Sequence, residues 1–296
     1  MKGEYRGMKN EIQTSEKQSF GAYMRQDAVK NYVNNMLNNP KESTKFIASI
    51  VTAVNNNAQL AECAKSTILS AALLGHSLNL SPSASLGQYF IVPFDDRRKG
   101  CKVAQFQLGY KGFIQLAIRS GQYKNINVIS VKEGELTSYN PFNDEVELKP
   151  ITNYEERKKA KTVGYYAFFE LVNGFRKSIY WSKEQMLEHA KKYSAGYQAD
   201  LKKGTSYTFW AKDFDAMAYK TLLRQLISKW GIMSIEMEKG YVGDQAVINA
   251  DGSSDYVDNA TRYPQIVEKE DDKPQEEEAE EELPKVEGEI VEDKKG

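Results

Sequence analysis

Apolar residues recur at helical spacing through the first quarter of the chain. In Phe20–Leu37 the prominent positions are Tyr23, Val29, Val33 and Leu37, and the run stops at Asn38-Asn39-Pro40, a combination that ends a helix. Ser43–Val54 repeats the period with Phe46, Ile47, Ile50, Val51 and Val54. Ala61–Leu74 does so again, with Ile68, Ala71, Ala72 and Leu74 as its core face and Gly75 as its expected C-cap. The period then shortens to that of strands. Gln88–Phe94 and Lys102–Leu108 read as a hairpin around the polar link Asp95–Gly100. Tyr110–Ser120 returns to helical spacing and closes at Gly121. Asn127–Lys132, Glu145–Lys149, Val163–Val172 and Arg176–Trp181 read as further strands, the last two joined at Asn173-Gly174, a strong hairpin signal. Ser182 and Gln185 have the spacing of a capping box, and a long helix is expected from about Tyr207 to Trp230, ending at Gly231. Helices, then antiparallel strands, then helices is an α+β order. The expected architecture is N-terminal helices, a central antiparallel sheet with hairpins, and a long helix toward the C-terminus.

The pattern divides the chain into three zones. Residues 1–16 are polar and read as a flexible N-terminus, and 17–245 carries the folded pattern. Residues 246–296 lose nearly all aromatics, and Glu276–Glu282 is broken only by Ala279. Such a composition buries too little apolar surface to offset chain entropy, so a disordered acidic tail is expected.

Charge sharpens this division. The totals nearly cancel, at 40 bases and 41 acids, yet residues 265–296 hold 14 acids and 5 bases. The body is therefore net positive by eight, and Arg97–Lys132 carries eight bases and no acid, interleaved with Phe106, Tyr110, Phe113 and Tyr123. Ordered basic surface with aromatics points to a polyanion, above all nucleic acid. There is no apolar run near 18 residues and no hydrophobic stretch after the first Lys, so no membrane partner is expected. Cys63 and Cys101 form no CxxC pair and the only histidines are His76 and His189. That usage fits a reducing, cytoplasmic compartment and provides no zinc framework.

The candidate contacts lie in three places. On a helical wheel Phe214, Ala218, Leu222, Leu226 and Trp230 form one stripe, and Lys220 and Arg224 fall nearly opposite, as a solvated face or a phosphate-binding one. Asp215 falls close to the apolar stripe, where a carboxylate needs a partner, and an internal ion pair with Lys or Arg is expected. Tyr193–Lys212 interleaves Tyr197, Tyr207, Phe209 and Trp210 with Lys202, Lys203 and Lys212, suited either to stacking on bases or to anchoring the helix start. Catalytic patterns are missing: there is no GxxxxGK[ST] and no HExxH or GxSxG, and Gly109–Gly112 is too short for a P-loop. An enzyme is therefore not expected. A metal-dependent nuclease built on Asp213 or Asp215 is the one catalytic alternative.

Three segments resemble the RecT family of phage single-strand annealing proteins. They are Leu86–Pro93 (LGQYFIVP), Gln107–Gly112 (QLGYKG) and Met217–Thr221 (MAYKT), in family order and spacing within about residues 20–245. The resemblance implies ATP-independent annealing of single-stranded DNA in phage homologous recombination, with no cofactor. It implies a core like that of ring-forming annealing proteins and a ring or filament of identical subunits. Its partners would be single-stranded DNA, the annealed duplex and a phage exonuclease, in a bacterial host or prophage. Transferred to these positions, it makes Lys111, Arg119, Lys220 and Arg224 phosphate contacts, with Gln107 and Thr221 as polar helpers. Tyr197, Trp210 and Lys212 join them from the pattern itself. Residues 86–230 would then form the DNA-binding core, and the helices of 17–75 are candidates either for subunit packing or for an ordinary intramolecular core. The alternative activity is passive protection of single strands. Arg97, Arg98 and Lys99 at the hairpin tip are reserved as DNA or neighbour contacts. The acidic tail is read as a shield for the groove, a recruitment element or a solubilising segment.

Overall fold

The computed structural model describes residues 18–96 and 98–256. The N-terminus expected at 1–16, Arg97 and the chain beyond 256 lie outside the described residues. The protein is α+β. Five helices come first: α1 (Phe20–Met24), α2 (Asp27–Leu37), α3 (Pro40–Asn55), α4 (Ala58–Ala61) and α5 (Lys65–Ser77). The helix expected over Phe20–Leu37 is two, broken where Arg25 caps α1 and the extended Gln26 starts α2. Asn38 adopts a left-handed φ of 48° and ends α2. Asn39 then caps α3 through the N–H groups of Lys41 and Glu42, with Pro40 at the first helical position. The residues that stop one helix thus start the next.

Gly75 is not a C-cap. It lies inside α5, where a Cβ would stand 2.3 Å from the Tyr89 ring, so its lack of a side chain serves close packing rather than a turn. These helices enclose a core of Phe46, Ile50, Val54, Ile68 and Leu69.

The strands form separate small sheets rather than one. β1 (Tyr89–Asp96) pairs antiparallel with β2 (Cys101–Leu108), Tyr89 opposite Leu108. Helix α6 (Tyr110–Arg119) follows. β3 (Tyr123–Lys132), β6 (Thr162–Leu171) and β7 (Arg176–Ser182) make a three-stranded antiparallel sheet in the order β3-β6-β7. Between β3 and β6 lie the hairpin β4 (Leu136–Asn140) with β5 (Glu145–Leu148) and the short α7 (Tyr154–Lys159). The capping box is present: Ser182 and Gln185 exchange bonds at the start of α8 (Lys183–Tyr193). Next come α9 (Ala195–Lys203) and α10 (Phe209–Lys212).

The long helix expected from Tyr207 is interrupted. Asp213 leaves helical geometry at φ −147° and its carboxylate caps Ala216 N, so α11 runs Phe214–Trp230. α11 crosses the face of β3, β6 and β7, and Ala218, Leu222 and Leu226 join Phe106, Phe113, Tyr165, Ala167 and Phe169 in the main core. Each fully buried Phe contributes about 1.5–3 kcal/mol there. Helix α12 (Ile235–Gly243) and the strands β8 (Val247–Ile248) and β9 (Ser254–Asp255) complete the described chain. Residues 246–256, assigned by composition to the tail, are therefore structured. Ala246, Val247 and Ile248 are buried, and Phe106 N donates to Ala246 O at 2.9 Å along the free edge of β2. No helix among the described residues is long and apolar enough to cross a membrane.

Candidate nucleic-acid interface

The segment Leu108–Gly112 turns the chain from β2 into α6, and two glycines set its position. Gly109 N donates to Gln88 O at 2.8 Å. A Cβ at Gly109 would stand 2.1 Å from Gly87 O, and one at Gly112 would stand 2.2 Å from Gln88 O. The first turn of α6 therefore rests directly on the backbone at 87–88, a contact that any side chain would prevent. This seating leaves Lys111 exposed. Its aliphatic stem and the Phe90 ring flank Gly87: a Cβ built there would lie 3.5 Å from Lys111 Cδ and 3.9 Å from Phe90 Cζ. Phe90 meets Phe209 at 5.4 Å between centroids, and Phe209 is 39% exposed. Lys212, exposed, lies three residues on along α10, on the Phe209 side of that helix. An ammonium and two rings thus gather beside one turn, with Lys212 on the same side of α10 as Phe209.

Behind the turn lies a buried charge network. Asp244, with no exposed side-chain surface, takes Lys220 Nζ at 2.7 Å and Arg224 Nη1 at 2.8 Å. It also accepts Leu108 N at 2.9 Å. Arg224 lies 3.8 Å from the centre of the Tyr241 ring. The wheel placed Lys220 and Arg224 on a solvated face. Lys220 is instead 5% exposed and Arg224 half-buried, because α12 and Asp244 cover that side of α11. Tyr110 packs edge-on against Tyr219 at 5.5 Å. The three sequence segments 86–93, 107–112 and 217–221 therefore converge on this turn.

The remaining expected contacts disperse. The Arg119 guanidinium donates to Leu78 O at 2.8 Å and Asn79 O at 3.2 Å, closing the C-terminal end of α5. Gln107 is half-buried on β2 with its amide 3.4 Å from Gln105 Oε1, and Thr221 is buried in α11. Tyr197 and Trp210 are buried, 6.2 Å apart, and Trp210 meets Phe214 at 5.2 Å, so both anchor the helices rather than present open rings.

The loop that delivers Phe209 is held by Asp200. Its carboxylate accepts from Thr205 Oγ1, Tyr207 N and both N and Oγ1 of Thr208, at 2.6–3.1 Å. The Thr205 and Thr208 bonds hold its pKa well below the usual carboxylate range. At the hairpin tip Arg98 and Lys99 pair with Asp255 at 3.0 and 3.4 Å, while Lys102 pairs with Glu62 and Lys124 with Glu170. Lys111 has no ion pair among the described residues.

Asp215 does have a partner, but not the cation expected: Tyr165 Oη donates to it at 2.6 Å. Burial first, then the neighbouring carboxylate, pushes the Tyr165 hydroxyl well above the ordinary tyrosine range, which keeps it a donor. Asp213 is occupied as the α11 cap. No group of three or more His, Cys, Asp or Glu side chains among the described residues is placed to hold a metal ion. Sequence reasoning missed Asp244, which sits outside the three segments and 20 residues beyond Arg224. It also passed over Phe90, although that ring lies inside the first segment.

A profile described as the RecT family matches residues 44–274. The "Uncharacterized protein YqaK" of Bacillus subtilis (strain 168) is 42% identical over 218 residues, covering 74% of this chain and 68% of YqaK. "Protein RecT" of Escherichia coli (strain K12) is 26% identical over 226 residues, covering 76% of this chain and 79% of that protein.

Proposed function

The chain belongs to the RecT family, and on that premise we propose that it binds single-stranded DNA and anneals complementary strands without ATP, in phage homologous recombination. The observation that carries this reading is the convergence of three separate segments on one turn, where Lys111, without an ion pair among the described residues, and the Phe90–Phe209 pair lie beside Gly87. Lys111 and Lys212 hold phosphates without reading sequence, and the exposed Phe209 supports a base. Lys220, Arg224, Thr221 and Arg119 act one step back: they fix the turn and its helix rather than reach the strand. Held by its backbone, a strand keeps its pairing edges open. Stacking of new base pairs, at about 1.4 kcal/mol per step, then drives pairing without a nucleotide cofactor.

One subunit offers few phosphate contacts. A ring or filament of identical chains supplies the rest through effective concentration, and helices such as α2, which exposes Tyr32 and Met36, provide subunit contacts. A phage exonuclease that generates single strands is the fitting partner.

The test is the annealing of two labelled complementary oligonucleotides added in succession without nucleotide. Pairing faster than the protein-free rate supports the proposal. Binding with slowed pairing replaces it with passive strand protection. Lys111→Ala and Lys212→Ala should each weaken capture for all sequences alike and lower the salt slope by about one. A loss confined to certain base compositions would contradict backbone contact.

A further inference from the structure

The far end of α11 carries a second group of exposed rings and cations. Trp230 is 40% exposed, and two ammonium groups stand over its ring: Lys177 Nζ at 4.6 Å and Lys229 Nζ at 5.2 Å from the centroid. Phe175, 43% exposed, belongs to the same sheet face as Lys177, since it meets Phe169, the residue paired with Lys177 across the strands. Ile232, also exposed, follows the end of α11, and its carbonyl accepts from Tyr123 Oη of β3 at 2.9 Å.

Lys177 also bonds Asp144 at 2.9 Å, and Lys124 and Arg176 both reach Glu170. Successive strand residues face opposite sides, so Glu170 and Arg176 lie on the other face of the sheet from Phe169 and Lys177, and at the open indole two cations, Lys177 and Lys229, stand with the carboxylate of Asp144. Lys229 has no ion pair among the described residues. Trp210, by contrast, is buried.

We propose that Trp230, Phe175, Lys177 and Lys229 form a second platform for single-stranded DNA, which receives the incoming strand while the Lys111 turn holds the first. The inference rests on the annealing reading above and assigns its second substrate a place. An indole flanked by ammonium groups suits a nucleotide: a base that stacks on the ring displaces one flexible lysine, which remains within reach of the adjoining phosphate. α11 has 17 residues, so its two ends stand about 25 Å apart at about 1.5 Å per residue. The two strands would enter at separate places along one rigid helix that also braces the first site through Tyr219, Lys220 and Arg224.

The test uses the full chain saturated with a donor-labelled oligonucleotide, then given a non-complementary acceptor-labelled one. Energy transfer reports both strands on one assembly. The complement is then substituted to read pairing rate. Trp230→Ala should leave first-strand affinity within about twofold, lower second-strand capture and pairing about tenfold, and be largely rescued by Trp230→Phe. Lys229→Glu, a surface change that leaves packing alone, should act in the same direction.

Unchanged second-strand capture in both variants overturns the proposal. So does an equal loss of first-strand binding, which would put the ring on the first path, or a change in assembly size by sedimentation, which would make it a protein contact. If the parent captures both strands but does not pair them, the annealing reading fails while the second platform stands.

Discussion

Asp244→Asn should be among the most damaging single changes in the chain. The side chain is fully buried, holds Lys220 at 2.7 Å and Arg224 at 2.8 Å, and receives Leu108 N at 2.9 Å. Asparagine preserves the shape and one acceptor for Leu108 N but removes the negative charge. Lys220, 5% exposed, then keeps an ammonium in the interior without its carboxylate. Breaking a buried pair from one side costs about 3–5 kcal/mol, against a total stability of about 5–15 kcal/mol for a domain.

In urea, with a slope of about 1–3 kcal/mol per M, the midpoint should fall by at least about 1 M at constant slope. The partner change is milder. Lys220→Met leaves Asp244 with Arg224 and Leu108 N and should cost about 1–3 kcal/mol. The double variant Asp244→Asn, Lys220→Met should recover most of the loss, because the orphaned ammonium is gone. A cost below about 1 kcal/mol for Asp244→Asn, or no rescue by Lys220→Met, would refute the buried network. The same variants separate two roles for Lys220. Folded Lys220→Met should bind single-stranded DNA like the parent. A loss as large as that of Lys111→Ala, with a salt slope lower by about one, would instead place Lys220 on a phosphate.

Two further predictions follow from the same geometry. Gly109→Ala has an ordinary φ of −79° but sets a methyl 2.1 Å from Gly87 O, so it should destabilise by about 1–3 kcal/mol and weaken strand capture by displacing Lys111; parent-like melting and affinity would contradict the seating of α6. Asp200 has a folded-state pKa held below its ordinary 3.8, so its contribution is complete above that value and is lost as pH falls through the lowered one. The stability gap between parent and Asp200→Asn should thus stay constant from about pH 5 to pH 8 and narrow toward about pH 2; a gap that widens in acid would reverse the assignment.

Much of the fold was legible because local signals and burial agreed. The Asp95–Gly100 link, Gly121, Asn173-Gly174 and the Ser182/Gln185 box all lie at element ends, where turn chemistry acts within a few residues. Gly75 was misread because a glycine near a helix end has two uses. Only the distant Tyr89 ring, brought over α5 by the β1–β2 hairpin, shows which applies. The break at Asp213 was missed for a related reason: apolar periodicity continues across it, and the cap replaces a turn of helix without changing the pattern. Average composition assigns residues 246–256 to the tail and hides the short apolar run Ala246–Ile248; that run is buried and meets the free edge of β2 through Phe106.

The site divides along the same line, and the division bears on how its motifs act. A wheel assumes that the side opposite the core faces water. On α11 that fails, because α12 returns and brings Asp244 against Lys220 and Arg224. A carboxylate in that position competes with phosphate for the same donors, so those cations are committed unless the C-terminal segment moves. Lys111 differs because its two flanking glycines already do the packing. Gly109 and Gly112 seat the turn through their missing side chains, and the ammonium of the lysine between them makes no ion pair among the described residues, lying 6.0 Å from the centre of the Tyr110 ring. A short segment can therefore divide its labour, with glycines and buried charges fixing a turn so that one cation stays open. On the reading proposed above, exposed cations without an ion pair among the described residues, such as Lys111, rather than the paired cations that make the sequence look most basic, are the groups that meet a strand.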